Sequence, residues 1–233
     1  MKKILTSVLV SSMMFLCIDA FAQFTVNAGY SNSSFKTKLD GKPIESLNYN
    51  LNGFFVEAEY NLGLFDNLSL VPGLRYKYGL SKKTTFDTLP FIGQYSLSTL
   101  FSEHYIDVPV NVKYTYPLLH NLKVFAFAGP TVSCGLASTS SIEAKFKIAD
   151  KDLNKMIKEE LDKLGNDSKR NNYGKDGNYS RFDVMLGLGL GVEVLDMIQI
   201  KTGYDFGLLN RISGTKEMSA HRNQFYIGVG YMF

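Results

Sequence analysis

Between Glu103 and Tyr116 the chain alternates residue by residue. Ile106, Val108, Val110, Val112, Tyr114 and Tyr116 fall on one parity, and Asp107, Pro109, Asn111, Lys113 and Thr115 on the other. A side-chain period of two is that of a β-strand, so this stretch separates an apolar environment from a polar one. One strand does not say which face points inward. The rest of the chain bears on that, because the pattern recurs seven more times.

A first strand spans about residues 24–35, with Phe24, Val26, Ala28 and Tyr30 on its apolar face, and a second, 51–62, sets Phe54, Val56, Ala58 and Tyr60 against Glu57 and Glu59. A third, 68–80, sets Leu70, Leu74 and Tyr76 against Arg75 and Lys77, and the opening stretch is the fourth. The fifth, 122–137, has an ambiguous phase because Phe125 and Phe127 compete with Val124 and Ala126; Lys123 is placed inward. The sixth, 181–195, opposes Val184, Leu186, Leu188 and Leu190 to Asp183, Glu193 and three glycines. The seventh, 198–210, opposes Ile200, Tyr204 and Phe206 to Lys201 and Asp205. The eighth opposes Phe225, Ile227, Val229, Tyr231 and Phe233 to Gln224, Tyr226 and two glycines.

The connections read long (36–50), short (63–67), long (81–102), short (117–121), long (138–180), short (196–197), long (211–221). Eight strands of roughly 12 residues with one ragged and one trimmed edge describe an all-β, antiparallel up-and-down transmembrane β-barrel. Short turns belong to the periplasmic side and long loops to the outside, and each strand is long enough to cross hydrocarbon at a tilt of about 45°.

The polar face decides the direction. It carries Glu57, Glu59, Arg75, Lys77, Asp107, Lys113, Asp183, Glu193, Lys201 and Asp205, which no apolar calyx or soluble sandwich core would take as its interior. Charge inside puts lipid outside. Six acids against four bases must share a lumen only wide enough for side chains, so they should pair. Glu57 with Arg75 and Glu193 with Lys201 are diagonal candidates across their hairpins, and the surplus carboxylates call for an amide, a tyrosine, water or a proton. Phe24, Tyr60, Tyr114, Tyr116, Tyr231 and Phe233 gather at the short-turn ends, where an interfacial girdle belongs.

The N-terminus reads as a secretory signal peptide over residues 1–22: Lys2-Lys3, an apolar run from Ile4 to Ile18, then Ala20-Phe21-Ala22. Phe15-Leu16 are bulkier than the residues that precede an acylated cysteine, which disfavours a lipoprotein at Cys17. A mature domain, 23–233, would lose Lys2, Lys3 and Asp19, taking the formal charge from 25 − 22 = +3 to 23 − 21 = +2. It carries no basic patch for nucleic acid and, with Cys134 alone, no disulfide framework.

Within 138–180, Leu153, Met156, Ile157, Leu161 and Leu164 form a helical stripe capped by Asp150, so one short helix is expected in the longest external loop. Asp150, Asp152 and Asn154 open like a calcium loop, but Lys155 replaces its glycine and Leu161 its bidentate glutamate. Gly187, Gly189 and Gly191 keep strand phase and give inward room rather than a phosphate cradle. His104, His120 and His221 fall apart from one another. No catalytic, cofactor or metal site emerges.

The run from Tyr105 through Asp107, Pro109 and Lys113 to Tyr114 resembles a strand of the PorT-like outer-membrane β-barrel family, in which an acidic residue, an apolar residue and a proline precede a lysine-tyrosine pair. Ala128-Gly129-Pro130 is similar to a second piece of that pattern. Val229, Tyr231 and Phe233 look like the C-terminal signal read by the barrel-insertion machinery. The resemblance implies a Gram-negative outer-membrane protein and supplies no catalytic residues. The expectation is a non-enzymatic barrel with both termini periplasmic, touching outer-membrane lipid, the insertion machinery during assembly and an envelope or extracellular protein partner through its loops. A narrow channel or a part of a secretion apparatus is the alternative, with a lipid-modifying enzyme behind both. Pro109 cannot donate to a ladder, and in a symmetric hairpin it would face Gly129-Pro130, so a shared kink or bulge is expected there.

Overall fold

Each alternating stretch of the sequence is an extended strand hydrogen-bonded on both sides. The computed structural model describes residues 22–45, 48–89, 93–147, 170–173, 179–212 and 218–233. In chain order the strands are β1 (Ala22–Leu39), β2 (Lys42–Pro43), β3 (Tyr49–Phe65), β4 (Leu68–Leu89), β5 (Gly93–Leu119), β6 (Leu122–Lys147), β7 (Arg170–Asn171), β8 (Phe182–Val194), β9 (Ile198–Gly207) and β10 (Met218–Met232). The eight long ones pair antiparallel with their sequence neighbours, and β10 pairs with β1 from Thr25↔Met232 to Leu39↔Met218. That last seam closes the sheet into a barrel. β2 and β7 are short additions to β1 and β6.

The pleat then sorts the residues. Leu186, Leu188, Leu190, Val108, Val110, Val112, Ile227 and Val229 are exposed on the outside, while the opposite parity of the same strands is buried. Leu190 is 61% exposed and Met185, on the inward parity, is 0% exposed. In water a continuous apolar outer wall of this kind would be unfavourable; in hydrocarbon it is the solvated face. Phe24, Tyr114, Tyr116, Tyr231 and Phe233 crowd the short-turn end, with the rings of Phe24 and Phe233 6.1 Å apart and those of Tyr231 and Phe233 4.9 Å apart. A turn there is drawn tight by positive φ at Leu195 and Asp196, and Lys123 clasps Asp196 at 2.6 Å.

The strands outrun the expected 12 residues at the long-connection end. The segment 81–102 is mostly strand, because β4 runs on to Leu89 and β5 begins at Gly93. β6 continues to Lys147, so the loop placed at 138–180 starts ten residues late. β1 reaches Leu39, and β10 begins at Met218 rather than after His221. Ser- and Thr-rich polar alternation still favours pairing once strands leave lipid, but it carries no hydrophobic signal, so it reads as loop. The helix expected over Asp150 to Leu164 lies outside the described residues, as do residues 1–21 of the expected signal peptide.

Pro109 does not produce the expected bulge. The β5–β6 register is the same at Pro109↔Thr131 and at Val112↔Ala128, with the rungs at 110 and 111 missing between them. The register slips instead between His104 and Tyr105, where β6 inserts one extra residue opposite β5. Pro109 is buried, and its ring sits where a side chain on Gly73 of β4 would stand.

Val110 lies midway along β5 between Tyr116 and His104 and points outward. Val110→Arg should therefore lower folding stability in lipid vesicles by about 2–4 kcal/mol, the cost of a cation near the midplane. Val110→Leu should change urea unfolding little; an arginine as well tolerated as the leucine would refute a lipid-facing position.

Candidate functional site in the barrel interior and at its mouth

Inward parity places all ten charged residues singled out in the sequence, Glu57, Glu59, Arg75, Lys77, Asp107, Lys113, Asp183, Glu193, Lys201 and Asp205, inside the barrel, each buried. They form a continuous chain of contacts. At the short-turn end Lys113 pairs with Glu193 and donates to Gln199 Oε1 at 3.4 Å. Gln199 donates to Glu59 at 3.2 Å, and Lys201 reaches Glu59 at 2.7 Å as well as Glu57. Arg75 clamps Glu57 Oε1 from Nη2 at 2.8 Å and from Nε at 3.0 Å, and its Nη1 reaches Asp205 at 3.2 Å. Gln224 donates to Asp205 at 2.8 Å and accepts from Lys77, which pairs with Asp107 at 2.8 Å. Ser133 donates to Asp107 and accepts from Arg222 at 2.7 Å.

The pairing differs in detail from the sequence expectation. Glu57 and Arg75 are directly opposed rungs of β3 and β4, not diagonal ones. Glu193 is not the partner of Lys201. Lys201 reaches across the lumen to Glu57 and Glu59, and Glu193 takes Lys113 instead. In so narrow a barrel the residue across the lumen competes with the one beside it, a contact that hairpin reasoning does not contain.

The charge balance also closes further than six against four. Glu103, Arg211 and Arg222 are buried too, giving six bases against seven acids among the described buried residues, 6 − 7 = −1. Arg222 continues the inward parity of Gln224 backward along β10; extending that period by one step reveals it in the sequence. Amides and hydroxyls supply the rest: Asn27 donates to Glu59 at 2.8 Å and Ser138 to Glu103 at 2.8 Å.

Aromatic rings fill the space between the ions. Phe55, Phe125, Phe127 and Tyr226 cluster in the lumen, with Arg75 over Tyr226 at 4.1 Å and Lys113 over Phe125 at 4.3 Å. Gly189 and Gly191 face the rings of Phe127 and Phe125, where a Cβ would collide with them. A cavity of about 10 Å³ beside Glu59, Asn111 and Lys201 has room for about one water molecule.

The long-connection end is capped. Arg211, buried just after β9, donates to the Tyr105 hydroxyl at 2.7 Å, the Tyr173 hydroxyl at 2.9 Å and the Ser180 carbonyl at 3.1 Å. Arg222 stacks on Tyr105 at 4.1 Å and faces Asp183 at 3.7 Å. Above them Phe35, Tyr49 and Phe101 stack at 4.4 and 4.8 Å. Burial raises the phenol of Tyr173 above the ordinary tyrosine range, with Arg211 opposing the shift, so the hydroxyl stays neutral and accepts from the guanidinium. Of the family-like strand, Tyr105, Asp107, Pro109 and Lys113 line this interior, and Tyr114 faces out. Val229, Tyr231 and Phe233 lie on the outer face. His104 and His221 also lie on outward parities, and no group of three or more metal-ligating side chains occurs among the described residues.

A closed eight-stranded barrel with an apolar exterior and a packed, charged interior is a membrane-spanning β-barrel. The profile of the outer membrane protein β-barrel domain family matches residues 4–233, and the chain belongs to that family. No curated protein matches it. Among solved structures it is similar to Ail, the attachment invasion locus protein of Yersinia pestis, in complex with the heparin analogue sucrose octasulfate (12% identity over 91% of this chain and 99% of that one, TM-score 0.43). It is also similar to Neisserial surface protein A (14% identity, 90% and 97%, TM-score 0.42) and to the outer membrane enzyme PagL (8% identity, 87% and 98%, TM-score 0.39).

Removing one partner from a buried ion network leaves an unpaired charge. Lys201→Met should cost about 3–5 kcal/mol in urea unfolding, and adding Glu59→Gln to the same chain should recover part of that loss. Strict additivity of the two substitutions would refute the Lys201–Glu59 contact.

Proposed function

We propose that this is a non-enzymatic outer-membrane protein of a Gram-negative envelope, with its short turns and termini in the periplasm. On this reading the barrel is a rigid pedestal for an external β-sheet that binds a protein partner by strand addition. The observation that carries it is the length of β4, β5 and β6. The last rung of β4 with β3 is Asn52↔Leu80, whereas β4 and β5 stay paired to Leu89↔Gly93. Residues 81–89 therefore have a strand on one side only among the described residues, an open edge about 30 Å long. On the other side, among the described residues, β6 is paired with β8 as far as Cys134↔Phe182 and with β7 at Thr139 and Ser140, so residues 141–147 also have a strand on one side only. Open edges are templates for another chain, and Lys82 and Lys83 on β4 are the kind of residues that keep an edge from pairing indiscriminately. The filled lumen supports a scaffold rather than a pore.

The likeness of Tyr105 to Tyr114 to a PorT-like strand favours a second reading, in which the partner belongs to a secretion apparatus. A photoreactive side chain at Thr84 or Ser141 in living cells, with Leu188 as the lipid-facing control, should give discrete protein adducts at the edges and none at the control. The mass of the adduct separates an envelope component from an extracellular protein; no adduct at either edge would refute strand addition. Purified protein in planar bilayers should show no steady, sized openings, and such openings would overturn the scaffold reading.

A further inference from the structure

The outer face changes character in successive rows toward the long-connection end. One row is aromatic: Ile227↔Tyr30, Tyr30↔Phe54, Phe54↔Tyr78 and Tyr78↔His104 across β10, β1, β3, β4 and β5. The next is amide-rich: Asn32 lies opposite Asn52, and Asn52 Oδ1 accepts from Asn32 Nδ2 at 2.7 Å and from the Tyr30 hydroxyl at 2.6 Å. Beyond it come Asn50 and Asn223 opposite Ser34, then Lys36 directly opposite His221, with Lys82 two residues past Leu80 on the same face of β4.

Two features of these rows point to an anion. On the outward parity of β10, β1, β3 and β4 beyond the aromatic row, the described residues include Lys36, Lys38 and Lys82 and no aspartate or glutamate. These lysines make no ion pair among the described residues, whereas Lys123 at the opposite end has Asp196. Lys36 and Lys82 stand two strands and about two residues apart, roughly 12 Å between backbones. Both side chains can therefore reach one ligand carrying more than one anionic group, with the amides between them.

We propose that this patch binds the phosphorylated sugar headgroup of an outer-leaflet glycolipid. Lys36 and Lys82 contact its phosphates, Asn32, Asn50, Asn52 and Ser34 its hydroxyls, and the aromatic row its uppermost acyl segments. The continuity of the patch with the lipid-facing wall selects a lipid over a free anion or a protein. Only a molecule anchored in the same leaflet presents hydrocarbon to Tyr30, Phe54 and Tyr78 and phosphate to the lysines immediately above. The assignment to the outer leaflet rests on the orientation proposed above; the chemistry of the patch does not.

The test is binding of purified, folded protein in neutral detergent to diphosphoryl lipid A, its dephosphorylated form, phosphatidylglycerol and inorganic phosphate, with the heat-dependent shift in gel mobility as the folding control. The wild type should prefer diphosphoryl lipid A to both other lipids by about tenfold or more, and K36Q/K82Q should lose that preference while keeping the mobility shift. K123Q, at the far end, should retain it, and the single variants K36Q and K82Q should each fall between. Unchanged binding by K36Q/K82Q, equal affinity for phosphatidylglycerol, or displacement by equimolar inorganic phosphate would overturn the proposal. Maleimide labelling of Lys82→Cys in a Cys134→Ser background on intact cells tests the leaflet separately. Labelling supports the outer leaflet, and protection overturns that assignment even where lipid A binding in detergent survives.

Discussion

In hydrocarbon no water is available to bond a free backbone N–H or C=O, so a sheet that spans it must close on itself. The seam between β1 and β10 meets that requirement, and much else follows from it. With eight strands the enclosed space is about as wide as the side chains that point into it, so those side chains fill it. Every inward position is therefore a packing problem and, where it is charged, a pairing problem. The outer wall has the simpler task of being apolar.

The interior solves both problems at once. The ion chain from Glu193 through Lys201 and Arg75 to Arg222 touches strands on opposite sides of the lumen, so it braces the barrel across its width as well as along its length. Rings laid over the cations replace part of the hydration these groups give up. Such a network is costly to leave half-made, which ties the fold to a single register.

Much of this was legible in the sequence because lipid imposes the alternation so strictly. Phe54 to Leu62, Ile106 to Tyr116 and Phe182 to Val194 could be read in phase from apolar residues alone, and the inward charges followed. What escaped were features with a weak or broken apolar signal. In the outer halves of β4, β5 and β6, polar runs such as Ser81-Lys82-Lys83-Thr84-Thr85 and Ser138-Thr139-Ser140-Ser141 interrupt the apolar alternation, so they read as loops. Arg222 stands one inward step before Gln224, where the apolar alternation that marks β10 has not yet begun, and Arg211 lies in a connection whose burial depends on the cap it helps to build. The exchange of partners among Lys113, Glu193, Lys201 and Glu59 depends on distance across the lumen, which one-dimensional spacing does not encode. Pro109 needed no bulge, because Gly73 on the neighbouring strand leaves room for its ring.

The central claim is that the apolar parity meets lipid and the polar parity meets an interior packed with side chains. Spin labels placed singly from position 106 to 113, in a Cys134→Ser background reconstituted into vesicles, measure it directly through collision with oxygen and with a water-soluble nickel chelate. The account predicts high oxygen accessibility at 106, 108, 110 and 112, and low accessibility to both reagents at 107, 109, 111 and 113. Nickel accessibility at the odd positions would reveal a water-filled lumen, and the absence of a period of two would contradict the barrel wall itself.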